Sequence, residues 1–387
     1  MAFQKLKATL VAVATMSSMA AVTISATSES ANGASTVNWS KVTQLAKSGP
    51  TSMTALVAAA KKEGTLNVIA LPPNWANYGA LINGFEKKYK IKINSENPDG
   101  SSAQEIEALT ADKGRPTAPD VIDVGTSYAL TAQSQHLLAP YKVQSWSAIP
   151  ASLKNARGYW FDDYGGYVAI GCDSAKVPTC PTSFKAMLKE KKAQGYKIGI
   201  NNSPTTSNSA LAAVQAAAVA SGGSLDNVAP GVKFFATLNK NGTFVPVIAN
   251  ATTVESGATN IVIWWDYLQA SGITPSVSKW KVHIPSDVVL GEYYTQAISS
   301  SAPDPAAARL WEEYLYSVTG QNLWLQGEAR PVELAFMQAH HQANAAWLAK
   351  LPPLPKGAKP LFPSTAQIAR AATVVSNTWN TKVGAGA

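Results

Sequence analysis

Residues 257–267, GATNIVIWWDY, place a short apolar run directly before two tryptophans, an aspartate and a tyrosine. The uninterrupted run at residues 261–263 predicts a strand that is buried on both faces. In a regular strand, Trp264 and Asp266 would share one side, and Trp265 would face the other. Open α/β sheets bind ligands beyond the carboxyl ends of their strands, so we expect Trp264, Trp265, Asp266 and Tyr267 to contact a ligand. The alternative is a core pair of tryptophans followed by a solvated aspartate in a turn.

An alternation of strand, loop and helix precedes this stretch. The predicted strands are residues 66–71, 91–94 and 121–124, and helical patterns lie between them. This order predicts an α/β fold with a parallel sheet and right-handed crossovers. The loops after the three strands then meet at one sheet edge, and they supply further candidate ligand contacts: Trp75, Asn77, Tyr78, Ser101, Ser102, Thr126 and Ser127.

A second α/β unit is predicted from about Gly171 to Lys281. Its strand at residues 196–200 leads into a hydroxyl-rich loop with Thr205, Thr206 and Ser207, and a helix follows. Hydroxyls and free backbone amides at a helix start can hold an anionic group. For Ser101 and Ser102, a plain helix cap is the alternative interpretation.

Composition narrows the class of protein. The chain has 387 residues, 46% of them hydrophobic and only 14% charged, with a net charge of +8. This length suggests roughly two or three domain-sized units. The basic residues are scattered beside apolar helical positions, which is typical of solvated helix faces and not of a nucleic-acid interface.

The first 26 residues resemble a secretory signal in their pattern. A basic start is followed by an uncharged apolar run and by small residues, with Ala26 and Ala34 as cleavage candidates. A cysteine does not follow the run, so a lipid-anchored protein is not expected, and the predicted location is periplasmic or secreted. The two cysteines, Cys172 and Cys180, suit one local disulfide in an oxidising compartment.

Patterns of catalytic chemistry are weak in this sequence. The four histidines lack metal-ligand spacing, and neither a nucleophile elbow nor a phosphate loop occurs. We therefore expect no enzyme activity, no cofactor and no metal. The alternative class is a secreted hydrolase that would use the adjacent carboxylates Asp162 and Asp163.

Residues 302–321, APDPAAARLWEEYLYSVTGQ, are the most specific stretch for a family resemblance, supported by KKEGTL at residues 61–66 and by Asp266-Tyr267. With these motifs, the chain resembles the extracellular solute-binding proteins of ABC importers, in the branch of polyamine, iron(III) and aminophosphonate binders. The resemblance implies a type 2 periplasmic binding protein with two α/β lobes, each a mostly parallel sheet flanked by helices, joined by crossing hinge strands. Lobe 1 would comprise residues 60–170 and 287–387, and lobe 2 residues 171–286. It also implies a monomer that closes over a solute and delivers it to a membrane permease.

Two sets of candidate residues favour different solutes. Trp75, Trp264, Tyr267 and Asp266 suit an organic amine, because aromatic faces and carboxylates attract ammonium groups. The serines and threonines suit a phosphonate or carboxylate, and an aminophosphonate would use both sets. Iron would need clustered tyrosines, for which Tyr293-Tyr294 is the one consecutive pair. Our expectation is a polyamine-like amine, with aminophosphonate and ferric iron as alternatives.

Overall fold

The computed structural model describes residues 37–384, so the predicted signal peptide and both candidate cleavage positions lie outside the described residues. The strands of the described range are β1 (Thr65–Ile69), β2 (Lys92–Glu96), β3 (Val121–Gly125), β4 (Leu138–Ala139), β5 (Phe161–Asp173), β6 (Ile198–Ile200), β7 (Phe244–Ile248), β8 (Ile261–Trp265), β9 (Trp280–His283), β10 (Gly291–Ser299) and β11 (Arg330–Pro331). The first seven α-helices are α1 (Met53–Glu63), α2 (Tyr78–Tyr89), α3 (Ser102–Ala111), α4 (Thr126–Ser134), α5 (Phe184–Met187), α6 (Asn208–Ala220) and α7 (Ala229–Lys240). The others are α8 (Ala251–Glu255), α9 (Asp266–Leu268), α10 (Pro305–Leu315), α11 (Val318–Gln326), α12 (Leu334–Ala339), α13 (Ala345–Leu348) and α14 (Thr365–Lys382).

The strands form two sheets. Strands β1 and β2 make a two-stranded parallel sheet, and a nine-stranded sheet has the main order β3-β10-β5-β8-β6-β7. In the second sheet, β6 pairs in parallel with β7 and β8. Each antiparallel pair in the described part of the chain involves β5 or β10. The parallel pairs thus lie within the α/β units, and the two long strands connect them.

Strand β5 is the longer connection. It is buried along all of its 13 residues and pairs with β10 through its first half and with β8 through its second half. Its glycines let neighbouring groups approach closely. A Cβ atom at Gly166 would lie only 2.3 Å from Oδ1 of Asp266. Only glycine fits at this position. Because Gly166 has no side chain, β5 can pack closely against the start of α9.

The opening sequence stretch folds largely as predicted. Strand β8 has the bounds Ile261–Trp265, and all five of its residues are buried. The chain then turns into α9 at Asp266, so the regular strand alternation does not extend to the carboxylate. The strands and helices predicted before residue 125 are also present, each within about two residues of its predicted bounds.

The stretch that carries the family resemblance forms a core helix. Asp304 is the N-cap of α10 and Pro305 lies at its first turn, a position that suits proline because it needs no backbone N–H. Residues 306–315 of the helix are buried. Trp311 and Tyr314 pack edge-on against Phe85 of α2, with ring centroids 5.3 and 5.6 Å apart. The burial of these ten residues shows that the helix is enclosed on all sides.

The C-terminal region differs from its prediction in one place. The sequence pattern at residues 336–350 predicts one helix, whereas the structure has two short helices, α12 and α13. His341 between them adopts a positive φ of 55°, which a continuous helix cannot contain. The last helix, α14, packs against α4 and also against α6 and α7. It therefore contacts elements of both predicted lobes.

Two further expectations concern the covalent framework and the membrane. The disulfide between Cys172 and Cys180 is confirmed, and it links the end of β5 to the loop that follows. Among the helices at residues 37–384, none combines the length and the apolar character needed to span a bilayer.

Candidate functional site

A cavity of about 550 Å³ lies where the loops of the two α/β units meet. Its walls come from the ends of β1, β2 and β3 on one side and from the ends of β6, β7 and β8 on the other. This arrangement follows the rule that open α/β sheets bind ligands beyond the carboxyl ends of their strands. The polar and aromatic side chains that line it are Asn74, Trp75, Asp99, Ser101, Ser102, Glu105, Asp123, Asn201, Asn202, Ser207, Asn250, Thr252, Trp264 and Tyr294.

Three aromatic rings form the deep wall of the cavity. Trp75 meets the ring of Trp264 at 5.7 Å between centroids and the ring of Tyr294 at the same distance, in both cases edge-on. Trp75 follows β1, whereas Trp264 ends β8 and Tyr294 belongs to β10. The indole of Trp75 therefore joins groups from both α/β units at one point. Such edge-on packing leaves ring faces available to a ligand.

Two buried carboxyl groups, Asp123 and Glu105, lie beside these rings. Asp123 is 6% exposed and Glu105 is 1% exposed. The backbone N–H of Asp123 donates to Oε2 of Glu105 at 3.0 Å, which holds the pair together. Oδ2 of Asp123 accepts hydrogen bonds from the hydroxyls of Tyr78 at 2.5 Å and Tyr164 at 2.9 Å. Oδ1 of Asp123 is buried and has no hydrogen-bond partner within residues 37–384.

The electrostatic environment of this pair is acidic. Burial raises the pKa of Asp123 to about 7, against the opposing effect of the hydrogen bonds from Tyr78 and Tyr164. Burial also raises the pKa of Glu105 well above its usual value, and the neighbouring charge of Asp123 adds to this. Asp99 adds a third carboxylate at the exposed rim. Neither lysine nor arginine lines this cavity within the described residues.

Polar, uncharged side chains from both sides of the cavity complete the lining. Ser101 caps α3, and its backbone N–H donates to Oε1 of Gln104 at 2.8 Å. The hydroxyl of Ser102 accepts from the N–H of Gly125 at 3.2 Å, and the hydroxyl of Ser207 lies 3.1 Å from that of Ser209. The cap interpretation of Ser101 is thus confirmed, while Ser101, Ser102 and Ser207 all reach the cavity.

The remaining predicted contacts do not line the cavity. Asn77 donates to the carbonyl of Leu323, and Tyr78 is buried beneath Asp123. The hydroxyl of Thr126 lies 3.2 Å from that of Thr295. The residues that the structure places outside the lining are Asn77, Tyr78, Thr126, Ser127, Thr205, Thr206, Trp265, Asp266 and Tyr267.

Asp266 has a partner of its own within the fold. Its Oδ2 lies 2.5 Å from a guanidinium nitrogen of Arg330, and its Oδ1 accepts from the backbone N–H of Tyr167 at 2.9 Å. The side chain is fully buried, and Arg330 also covers the ring of Tyr167 at 4.5 Å. The expected geometry failed because α9 begins at Asp266 and turns its carboxylate away from the side that Trp264 faces.

Sequence reasoning missed Glu105, Asp123, Tyr294 and the asparagines of the site. One signal was available for Asp123, because a carboxylate interrupts the otherwise apolar segment at residues 121–125. An aspartate in a buried strand needs a special partner or a function. Glu105 carried no comparable signal, because a glutamate in the first turn of a helix is ordinary.

Solved structures share this architecture. One is the periplasmic binding protein AfuA from Actinobacillus pleuropneumoniae, with fructose-6-phosphate bound, at 17% identity, a TM-score of 0.63, and coverage of 82% of this chain and 98% of that one. Another is iron-bound HitA from Pseudomonas aeruginosa, at 18% identity, a TM-score of 0.59, and coverage of 81% and 97%. A third is an ABC transporter substrate-binding protein from Bradyrhizobium japonicum USDA 110, at 17% identity, a TM-score of 0.64, and coverage of 82% and 99%. These likenesses define the fold as that of the type 2 periplasmic binding proteins.

The family follows from the sequence match. The family model of bacterial extracellular solute-binding proteins matches residues 117–369. The chain therefore belongs to this family, whose members bind small solutes for ABC importers. A comparison with curated proteins finds no match to this chain.

Proposed function

We propose that this protein captures a small organic amine in the cavity and delivers it to the permease of an ABC importer. The observation that carries the proposal is the lining: the carboxyl groups of Glu105 and Asp123 adjoin the rings of Trp75, Trp264 and Tyr294, and the described lining contains no basic side chain. Aromatic faces and carboxylates are the groups that attract ammonium ions.

The charge of the cavity contrasts with the charge of the whole chain. The chain carries a net charge of +8, yet its described cavity contains three carboxyl groups and no lysine or arginine. A general positive field would favour anionic solutes, whereas the local groups favour cations at short range, where low-dielectric walls strengthen each contact. The carboxyl groups of the lining, rather than the net charge of the chain, therefore favour a cationic solute in the cavity.

An aminophosphonate is the second candidate. Ser207 and Asn250, near the starts of α6 and α8, line the side opposite the carboxyl groups of α3 and β3, and Ser101 lies at the start of α3. Nε1 of Trp264 is buried without a hydrogen-bond partner within the described residues and could donate to an oxygen of the solute. A zwitterion would place its ammonium at Asp123 and its anionic end at these polar groups.

Ferric iron fits these side chains less well. Tyr294 lines the cavity, but its neighbour Tyr293 stacks on Phe362 with ring centroids 6.0 Å apart. Within residues 37–384, clusters of three or more histidine, cysteine, aspartate or glutamate side chains that could hold a metal do not occur. The consecutive tyrosines therefore diverge and do not form a clamp.

We propose a binding role without catalysis. The alternative hydrolase would use Asp162 and Asp163, and these side chains are 3% and 0% exposed and do not line the cavity. Asp162 accepts from the hydroxyl of Thr295 at 2.7 Å, and Asp163 accepts from the amide of Gln296 at 3.1 Å. Carboxylates held in this way cannot reach a substrate.

The test is a thermal-shift and calorimetric screen of purified protein against 1,4-diaminobutane, spermidine, 2-aminoethylphosphonate, fructose-6-phosphate and ferric citrate. We expect stabilisation by at least one amine, and we expect Glu105→Gln to weaken that binding by about tenfold or more, because the cation loses a buried charged partner. Glu107→Gln is the matched control, since Glu107 is an exposed residue of the same helix. Stabilisation by the sugar phosphate or the ferric salt, with none by the amines, would contradict the proposal.

A further inference from the structure

A cluster of buried carboxyl groups surrounds the cavity floor. Asp123 is accompanied by Glu105 on α3, by Asp162 and Asp163 on β5, and by Glu312 on α10, each at most 6% exposed. The ion pairs in the described part of the chain do not include any of these five groups. Such a cluster cannot ionise fully without a cation, because like charges in a low-dielectric interior repel strongly.

The hydrogen bonds around Asp123 have a fixed direction. The amide nitrogen of Gln296 donates to the hydroxyl of Tyr78 at 2.9 Å, and the indole N–H of Trp75 donates to the hydroxyl of Tyr164 at 2.8 Å. Each phenol accepts one bond and therefore turns its own proton toward Oδ2 of Asp123. Oδ2 thus accepts two hydrogen bonds, one from each hydroxyl, and a proton of its own would not fit beside them.

The two oxygens of Asp123 consequently have different tasks. A proton carried by the neutral side chain must sit on Oδ1, since Oδ2 already accepts from Tyr78 and Tyr164. Oδ1 has no hydrogen-bond partner within the described residues and belongs to a residue that lines the cavity. Both a neutral O–H and an ionised oxygen at this position lack a partner from the fold, and burying either form without one is unfavourable. A donor from the solute would remove that cost.

We propose, on the basis of the amine-binding function above, that a solute N–H donates to Oδ1 of Asp123 and takes the place of the proton that the Asp123–Glu105 pair holds in the free protein. The displaced proton passes to solvent, so one proton leaves as one ammonium group binds. Asp123 is then the specificity-determining residue. It accepts ammonium groups that carry an N–H and disfavours anionic solutes.

The carboxyl groups that face Asp123 all disfavour its ionised form, whereas the hydrogen bonds from Tyr78 and Tyr164 favour it. From α3 and α10 these carboxyl groups are Glu105 and Glu312, and from β5 they are Asp163 and Asp162. The phenols are those of Tyr78, Tyr164, Tyr267 and Tyr294. Arg309 acts on Glu312 and donates to the backbone carbonyls of Val42, Pro305 and Ser40. The ion pairs at residues 37–384 provide no cationic partner for Asp123.

The experiment measures proton release when 1,4-diaminobutane binds, by calorimetry in phosphate and in a sulfonate buffer of different ionisation enthalpy. At about pH 6, below the pKa of about 7 that burial gives Asp123, we expect close to one proton released per bound molecule for the wild type and close to none for Asp123→Asn. Affinity should rise with pH, by up to about tenfold per unit below pH 7, and then level off. The diamine stays charged throughout this range, so its own titration does not contribute.

Two controls isolate the role of Oδ1. The fully N-methylated diamine carries the same charges but has no N–H, and we expect it to bind at least about tenfold more weakly. Tyr164→Phe removes one donor to Oδ2 and leaves the carboxyl group in place. The pH at which affinity levels off should then move upward, because this hydrogen bond lowers the pKa of Asp123. A residue with only a structural role would not move this pH profile.

The outcomes separate the inference from the proposed function. If the diamine binds with no proton release and a flat pH profile, or if its methylated form binds equally well, the proton-exchange inference is refuted and amine binding stands. If none of the amines binds and another solute does, the proposed function itself is refuted. If Asp123→Asn does not fold, the Tyr164→Phe profile decides, because an unshifted profile contradicts the inference.

Discussion

The ion pair between Asp266 and Arg330 has a structural function at the residue scale. Asp266 is fully buried and Arg330 is nearly so, and breaking such a pair leaves a charge without compensation. We expect Asp266→Ala to lower the free energy of unfolding by about 3–5 kcal/mol in urea titrations. Solute selectivity should remain unchanged, because the carboxylate does not line the cavity.

Asp226→Ala is the matched control for this prediction. Asp226 also pairs with an arginine, Arg370, but both side chains are exposed, so its loss should leave the free energy of unfolding nearly unchanged. If the Asp266→Ala protein is fully stable and binds an amine poorly, the structural role is refuted and Asp266 is a ligand contact, as its sequence position suggested.

Trp75 provides a second residue-scale prediction. Its ring contacts Trp264 and Tyr294, and its indole N–H holds the hydroxyl of Tyr164. Trp75→Phe keeps an aromatic ring but loses the donor, so we expect amine affinity to fall by about threefold to thirtyfold. Intrinsic fluorescence titration measures this loss. The control is Trp347→Phe on α13, outside the cavity, which should leave the affinity unchanged.

The sequence predicted which loops after strands line the cavity, and it did not predict the direction of individual side chains. Trp75 and Trp264 reach the cavity because each lies at the carboxyl end of a predicted strand. Asp266 lies two residues beyond Trp264 and would share its side only if the strand continued. Asp266 instead pairs with Arg330, which is 64 residues away in the chain, and local alternation carries no information about such a partner.

At the scale of elements, the C-terminal helix α14 packs against helices from both predicted lobes. Trp379 is fully buried against Phe235 of α7 and Phe244 of β7, at 5.3 and 6.2 Å between centroids, while α14 also packs on α4. We expect Trp379→Ala to lower the free energy of unfolding by about 3–5 kcal/mol, because it leaves a large cavity. Trp347→Ala, at a half-buried position, should cost clearly less. Equal losses for the two variants would show that α14 contributes little as a connection.

Element existence was predictable for physical reasons, and element pairing was not. The order of apolar residues identified β8, β3 and α10, because an element that is buried on one or both faces needs apolar residues at the positions that face the core. The segment between α12 and α13 contacts Asn322, whose side chain donates to the carbonyl of Gln342 and accepts from the N–H of Asn344. These contacts lie about twenty residues apart in the sequence, beyond the reach of a local pattern.

At the scale of the whole molecule, several buried carboxyl groups have raised pKa values. Burial raises the pKa of Glu292 to about 8 and that of Glu313 to about 7, and it raises the pKa of Glu312 well above the usual value. An unfolded carboxyl group ionises near its ordinary pKa, so the folded state binds more protons above that point. The folded state is therefore favoured at low pH, and this stability is lost as the pH rises through the folded pKa values.

Glu312 allows this linkage to be tested directly, because neither of its carboxyl oxygens has a hydrogen-bond partner within the described residues. Glutamine keeps its shape without a proton to lose. We expect Glu312→Gln to change stability little at about pH 5 and to raise the free energy of unfolding by about 1–3 kcal/mol at about pH 8, measured in urea. The exposed Glu107→Gln should show no such dependence. A Glu312→Gln protein whose stability falls with pH as steeply as that of the wild type would mean that Glu312 is already ionised in the fold, and that the cluster beneath the cavity accommodates its charges without a bound cation.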